Sequence, residues 1–206
     1  MTSDDAFVRL FQTRAGLTAD GIVGPATLAA LDKAFPPSGG VSAPATGLVR
    51  IILHWTAGTH VVSETDRAHY HFIIGGDGAV YDGKHKPEAN ISTSDGAYAA
   101  HTRNCNTGSI GVAVAGMFGA TEQPFNAGGF PIRQVQVDAL VRLVADLCRK
   151  YRIPVTPRTV LSHAEVQPTL GIAQNGKWDI SWLPGMTLPR DPVSVGNELR
   201  SRIAAL

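Results

Sequence analysis

Residues 48–55 of the 206-residue chain read LVRIILHW, the clearest strand signal in the sequence. Its aliphatic and β-branched residues form a short continuous apolar run, which is typical of a buried strand. A second run of the same kind, SIGVAVA at residues 109–115, predicts another buried strand. A further strand-like segment at residues 158–162 ends directly before His163. The sequence therefore predicts a sheet whose strands lie in the interior of the protein.

The segments around these strands indicate how the sheet is completed. The residues on either side of GGDG at 75–78 predict a β-hairpin. Apolar residues recur at helical spacing over 133–151, which predicts a long amphipathic helix. Val195, Leu199 and Ile203 predict a closing C-terminal helix by the same spacing. Strands mixed with helices, together with a hairpin, predict an α/β fold with a mixed central β-sheet flanked by helices.

A stretch rich in proline, glycine, serine and alanine divides the chain. Residues 36–47 read PPSGGVSAPATG, a composition typical of a flexible linker. We therefore expect a small helical unit at 1–35 and a larger unit at 48–206. In the small unit, one helix is predicted to end near Gly16, and a second begins at Pro25, where the missing N–H of proline is harmless.

Composition excludes several classes of partner. Charged residues make up 17% of the chain and the net charge is +1, without a basic stripe, so no nucleic-acid partner is expected. No apolar run approaches the roughly 20 residues that span a membrane. The first residues carry acids where a secretory signal would carry lysine or arginine, which predicts synthesis in the cytoplasm without such a signal. Cys105 and Cys148 are too few for a disulfide framework.

Two of the seven histidines follow predicted strands. His54 lies at the end of the first strand, and His163 follows the strand-like segment, with a loop containing proline and glycine expected after it. Loops gather into sites at strand ends in α/β sheets. Asp179 adds a carboxylate further along. Two imidazoles and one carboxylate, with a fourth position for water, form the ligand set of a catalytic zinc site. No short HExxH motif fixes such a site, so ordinary core or surface histidines remain an alternative.

Five segments in chain order resemble the zinc-dependent N-acetylmuramoyl-L-alanine amidases. That family shares its fold with the animal peptidoglycan recognition proteins and with phage lysozyme-type amidases. The resemblance extends from about Leu48 to about Leu183. The segments that carry it are ILHWTAG at 52–58, HYHFIIGGDGAVYDG at 69–83, AAHTRNCNTGSIGVAVAG at 99–116, VLSHAEV at 160–166 and KWD at 177–179.

The resemblance implies a set of catalytic roles. His54, His163 and Asp179 correspond to the zinc ligands, and Lys177 to a lysine that stabilises the oxyanion. Tyr70 matches the catalytic tyrosine of the phage branch, although an aspartate as third ligand belongs to the other branch. Bound zinc makes a water acidic enough to attack a carbonyl near pH 7, and Lys177 is expected to donate to the oxyanion that forms.

Four other residues complete the predicted site. Glu165 is a second candidate for proton transfer to or from the reacting groups. His101 resembles a histidine that lines the substrate groove of the family. Trp55 and Thr56 follow the first ligand directly, and we expect them to contact the substrate.

The resemblance also implies a substrate and a setting. The family hydrolyses the amide bond between N-acetylmuramic acid and L-alanine of peptidoglycan. Residues 8–31 resemble the second half of a helical peptidoglycan-binding module. We therefore predict a monomeric lytic endolysin that acts on the cell wall, in the periplasm, after its release from the cytoplasm. A cytoplasmic muropeptide-recycling amidase, a non-catalytic peptidoglycan recognition protein and a zinc hydrolase of another amide remain alternatives.

Overall fold

The computed structural model of the protein describes residues 3–23, 25–34 and 47–206. Nearly all of the predicted linker, residues 36–46, lies outside this described part. Within it, no helix combines the length and the apolar character that crossing a bilayer requires.

The first of two compact units comprises Met1–Ser42. It contains the two predicted helices, α1 (Ser3–Arg14) and α2 (Pro25–Ala34). The buried side chain of Gln12 connects them, because its amide nitrogen donates a hydrogen bond of 3.0 Å to the hydroxyl of Thr27. This unit is therefore held together partly by a buried polar side chain.

The second unit comprises Ala43–Leu206 and contains a five-stranded sheet. In chain order the strands are β1 (Arg50–Trp55), β2 (Phe72–Ile74), β3 (Val80–Asp82), β4 (Ser109–Val114) and β5 (Val160–Ser162). Their spatial order is β3-β2-β4-β1-β5. All neighbours are parallel except β2 and β3, which form the predicted hairpin. This mixed sheet confirms the predicted fold class.

Helices surround the sheet. They are α3 (Glu64–His69), α4 (Gln134–Tyr151), α5 (His163–Leu170) and α6 (Pro192–Ala204), with a 3₁₀ turn at Pro87–Ile91. Helix α4 confirms the long helix predicted over 133–151, and α6 confirms the predicted C-terminal helix. Helix α4 packs on β2 and β4, and α6 packs on α4, α5 and β5. The apolar faces of these elements and of β1 form one large core, which includes Ile51, Leu53, Val112, Leu140, Val144 and Leu199.

The segment after His163 corrects the sequence prediction, because it is helix α5 and not a loop. The helix begins at His163 because the Glu165 carboxylate accepts a hydrogen bond of 2.7 Å from the backbone N–H of Ser162, as in a capping box. It ends at Gly171, whose φ of +74° suits glycine. Pro168 lies near the end of the helix, where it interrupts little of the hydrogen-bond ladder.

Candidate metal centre

Strand register brings the first two predicted ligands together. β1 and β5 are parallel neighbours, and Leu53 pairs with Ser162. The residue after each of these two is a histidine, His54 on β1 and His163 at the start of α5. Because the two strands run in the same direction, both imidazoles lie at the carboxyl-end edge of the sheet, where sites form in α/β folds.

Asp179 completes a compact group with these two histidines. The Nδ1 atoms of His54 and His163 are 3.1 Å apart, and each lies 3.1–3.2 Å from Oδ2 of Asp179. All three residues are buried. Zinc bonds of about 2.0–2.1 Å in a tetrahedral site separate neighbouring ligand atoms by about 3.3 Å, so the spacing of these three atoms suits one zinc ion. Three protein ligands would leave a fourth position for water or substrate, as in catalytic zinc sites.

The electrostatics of the group also favour a cation. Burial lowers the pKa of His54 to about 4, so its imidazole is neutral at pH 7. Burial alone would raise the pKa of Asp179, but hydrogen bonds involving His163 and His54 outweigh it and hold that pKa below its ordinary value. A buried carboxylate is therefore ionised beside an imidazole that carries no charge. A buried charge requires a partner of opposite sign, and a bound metal ion would supply it.

Two predicted catalytic residues lie beside this group. The ring centroids of Tyr70 and His54 are 5.1 Å apart. Burial, and then the charges of Asp179 and Asp66, raise the pKa of Tyr70, so it is a neutral phenol at physiological pH. Among the residues that the structure describes, no group accepts a hydrogen bond from this hydroxyl. Lys177 is exposed, and its charge contributes to lowering the pKa of His54.

Lys177 also borders an open pocket with a volume of about 320 Å³. The pocket lies along the first and last turns of α5 and the loop that leads to Asp179, and its lining includes Ala164, Gln167, Gln174 and Lys177. Its lining combines these polar side chains with Ala164, Pro168, Gly176 and Pro192.

The hydrogen bonds of the Glu165 carboxylate are with residues outside the ligand group. Its carboxylate is fully buried and accepts a hydrogen bond of 2.8 Å from Arg200 on α6, besides the bond from the Ser162 N–H. Gly196 allows this approach, because a side chain there would collide with the carboxylate. Glu165 thus joins α5 to α6, and the structure does not bring it to the ligand group as a candidate for proton transfer.

His101 lies on the outer side of His54, and its predicted place in a substrate groove remains a prediction. It is buried, and its Nδ1 lies 3.3 Å from Nε2 of His54 and 2.8 Å from the hydroxyl of Thr102. Its ring covers Gly111, where a Cβ would come within 2.5 Å of the imidazole. His101 therefore contacts the side of the ligand that faces away from the metal position.

The two residues that follow His54 are engaged within the protein. Trp55 is buried in the core and makes an edge contact with Trp178, with ring centroids 4.5 Å apart. The hydroxyl of Thr56 accepts hydrogen bonds from the backbone N–H groups of Gly58 and Gly116. These contacts fix the loop after β1, and the predicted substrate contacts of both residues remain predictions.

Sequence reasoning missed two polar residues that touch the ligands from outside. Gln174 accepts a hydrogen bond of 2.9 Å from Nε2 of His163, and the hydroxyl of Thr102 lies 3.4 Å from Nε2 of His54. The signal for Thr102 was its position directly after His101 in a segment that resembles the family. Nothing in the sequence marks Gln174, because its loop has no apolar period.

The α/β sheet thus carries at its carboxyl-end edge two imidazoles and one carboxylate that could hold a metal ion, the ligand set of catalytic zinc sites. The family model of N-acetylmuramoyl-L-alanine amidase matches residues 46–185, and the chain belongs to this family. A model of a putative peptidoglycan binding domain matches residues 6–31, in the small unit. Both predicted resemblances are thereby confirmed.

The solved structures to which the chain is similar share low sequence identity with it. The amidase LysC from Clostridium intestinale is 17% identical, with a TM-score of 0.46, over 78% of this chain and 89% of its own. The Ph2119 endolysin from a Thermus scotoductus bacteriophage is 19% identical, with a TM-score of 0.44, over 82% and 95%. The amidase AmiD from E. coli is 21% identical, with a TM-score of 0.43, over 60% and 51%. No protein with a curated description matches significantly.

Proposed function

We propose that this protein is a zinc-dependent N-acetylmuramoyl-L-alanine amidase whose metal is held by His54, His163 and Asp179. The observation that carries the proposal is the triangle of their ligand atoms, 3.1–3.2 Å on each side. When bound, zinc would polarise a carbonyl and lower the pKa of a water, so that the water can lose a proton and act as a nucleophile at neutral pH. The reaction class is hydrolysis of the amide bond between N-acetylmuramic acid and L-alanine of peptidoglycan, as membership of the family supports.

Lys177 is the proposed donor to the developing oxyanion. Attack on the amide carbon places negative charge on the former carbonyl oxygen, and a preorganised cation stabilises that charge. Lys177 is exposed, lies two residues before a ligand and borders the open pocket, so its ammonium can reach a bound substrate. Its effect on the pKa of His54 supports a position close to the ligand group.

Tyr70 is the proposed proton donor. Its raised pKa keeps the hydroxyl protonated, which suits delivery of a hydrogen bond or a proton to the leaving amine better than removal of a proton. The separation of 5.1 Å between its ring centroid and that of His54, a proposed ligand, supports this role. Glu165 is not part of this proposal, because Arg200 and the first turn of α5 already engage its carboxylate.

The proposed setting is that of a monomeric endolysin acting on the cell wall. The peptidoglycan-binding match at residues 6–31 supports polymeric wall as the substrate, with the small unit as an anchor. A recycling enzyme would act on soluble muropeptides instead. A non-catalytic recognition protein has no need of a complete ligand set, whereas His54, His163 and Asp179 are all present here.

Digestion of purified sacculi tests the proposal. We expect the zinc-loaded protein to release free stem peptides with new L-alanine amino termini, detected by mass spectrometry, and a chelator to stop the release until zinc is restored. His163→Ala should be inactive, whereas His69→Ala, at an exposed position on α3, should retain activity. Binding without release would establish a recognition module, and release from soluble muropeptides alone would establish a recycling enzyme.

A further inference from the structure

We infer that Gln174 is a positioning residue, which holds the imidazole of His163 with Nδ1 directed at the metal position. The inference rests on the proposed zinc site. Gln174 stands out because it is 5% exposed in a loop whose neighbours Ala173, Asn175, Gly176 and Lys177 are all exposed. A polar side chain buried within an exposed loop is held by specific partners.

The hydrogen bonds of Gln174 fix the orientation of its amide. One end lies 2.9 Å from the backbone carbonyl oxygen of Arg103, and a carbonyl can only accept. That end is therefore the NH₂ group, which also lies 3.4 Å from the carbonyl oxygen of Ile172. The other end is the amide oxygen, and it lies 2.9 Å from Nε2 of His163.

This orientation determines the tautomer of His163. The amide oxygen can only accept, so Nε2 of His163 must carry the hydrogen. In a neutral imidazole the other nitrogen then bears the lone pair. That nitrogen is Nδ1, which lies 3.1 Å from the Nδ1 atom of His54 and 3.2 Å from Asp179. Gln174 thus holds a hydrogen on Nε2, so that Nδ1 of a neutral His163 can serve as the metal ligand.

The position of Gln174 is itself fixed by two other segments. Its backbone N–H donates a hydrogen bond of 3.0 Å to the side-chain oxygen of Gln167 on α5, the helix that begins with His163. Its amide reaches Arg103 in the segment that also contains His101 and Thr102. Because both contacts lie within the folded unit, the acceptor for His163 is held in place by the fold.

The consequence is a contribution of Gln174 to metal affinity. Partners that orient a ligating histidine typically contribute about 10- to 100-fold to affinity. In Gln174→Leu the N–H of His163 has no acceptor in a buried position, and the imidazole is free to rotate or change tautomer. We expect this variant to bind zinc about 10- to 100-fold more weakly, measured on the full chain by competition with a chromophoric chelator.

Gln174→Glu separates orientation of His163 from simple anchoring of the loop. The carboxylate keeps an acceptor for His163 but loses the donor to Arg103. If Gln174 orients the ligand, this variant retains zinc affinity within about threefold of the wild type, or exceeds it. If Gln174 only anchors the loop, Gln174→Glu loses as much affinity as Gln174→Leu, and that result overturns the inference.

A matched control is Gln136→Leu at the start of α4. Gln136 is also fully buried, and its amide donates to the backbone oxygens of Ile74 and Ala115, away from the ligands. This variant should lower the melting temperature and leave zinc affinity unchanged. If Gln174→Leu does not fold, Gln174→Asn replaces it, because the shorter side chain cannot reach both Arg103 and His163, and the same loss is expected.

A spectroscopic measurement gives a second readout. In the metal-free wild type, the imidazole ¹⁵N shifts of His163 should report a hydrogen on Nε2, and Gln174→Leu should show mixed tautomers. Equal zinc affinity in the wild type and all Gln174 variants overturns the inference. A wild type that does not bind zinc at all contradicts the proposed function instead, so the two failures are distinguishable.

Discussion

Two buried carboxylates of the larger unit have opposite environments. Glu165 is fully buried and faces the guanidinium of Arg200 at 2.8 Å. Asp179 is 6% exposed and faces two imidazoles at 3.1–3.2 Å, at least one of them neutral at pH 7. Arg200 supplies a permanent cation for Glu165, whereas the side-chain partners of Asp179 among the described residues are imidazoles. We propose that Asp179 takes its cation from solution, as a metal ligand.

Removal of the Asp179 carboxylate should have the largest effect on activity and on zinc affinity. Asp179→Ala should abolish amide hydrolysis and weaken zinc binding by more than the roughly 10- to 100-fold that an outer partner contributes. Asp138→Asn, in the ion pair with Arg202 on α6, serves as the control and should bind zinc normally. An Asp179→Ala protein with the zinc affinity of the wild type would contradict this interpretation.

Removal of the cation from the other carboxylate should affect stability and not metal affinity. Arg200→Met leaves Glu165 buried without its partner, which should cost about 3–5 kcal/mol in the free energy of unfolding, measured with denaturant. The double variant Glu165→Gln/Arg200→Met should recover part of that loss, since no buried charge remains. Zinc affinity of the folded variant at low temperature should stay close to that of the wild type. If Arg200→Met weakened zinc binding as much as it lowers stability, Glu165 and Asp179 would not be independent.

Lys177, two residues before Asp179, should affect catalysis, whereas Arg200 beside Glu165 affects stability. Lys177 is exposed and borders the pocket, so Lys177→Ala should lower kcat by about 100- to 1000-fold through loss of an oxyanion donor. Stability and zinc affinity should change little. Lys86→Ala, which removes an exposed ion pair with Asp82, is the matched control and should keep full activity. A Lys177→Ala enzyme with normal kcat would exclude the proposed role.

Acid should weaken the larger unit gradually through its buried histidines. Burial lowers the pKa of His54 and His71 to about 4 from an ordinary value of 6.5. The unfolded chain therefore takes up protons near pH 6.5, whereas these two imidazoles stay neutral in the folded protein. Their contribution is complete above pH 6.5 and is lost as the pH falls towards 4. Thermal unfolding of the metal-free protein followed by circular dichroism should show this decline, and saturating zinc should move it to lower pH. A melting temperature that stays constant from pH 7 to pH 4.5 would contradict the prediction.

Much of the fold could be predicted because its signals are local. The apolar run that contains β1, the glycine-rich hairpin between β2 and β3, and the helical spacing of α4 each lie within one short segment. Helix α5 was missed because Pro168 and Gly171 suggested a loop, whereas the Glu165 carboxylate starts the helix by capping Ser162. Because proline and glycine are strong signals for a loop, the sequence does not reveal that one such hydrogen bond starts a helix.

Some residues of the candidate site could be predicted from the sequence and others could not. His54, His163 and Asp179 could be proposed because two of them follow strands and all three match segments that resemble the family. The place of His101 behind His54 could not be predicted, because it depends on the space above Gly111 on a neighbouring strand. Gln174 could not be found at all, since its partners Arg103 and His163 are distant in sequence.

The α/β class, the family and the three proposed ligand residues follow from the sequence, because they rest on short-range patterns and on motifs in a fixed order. The tertiary structure adds which buried carboxylate has a cation, which nitrogen of each proposed ligand histidine faces Asp179, and which loop residue forms a hydrogen bond with His163. These properties depend on distances between segments far apart in the chain. Such distances are set by the register of β1 with β5 and by the packing of α5 against α6.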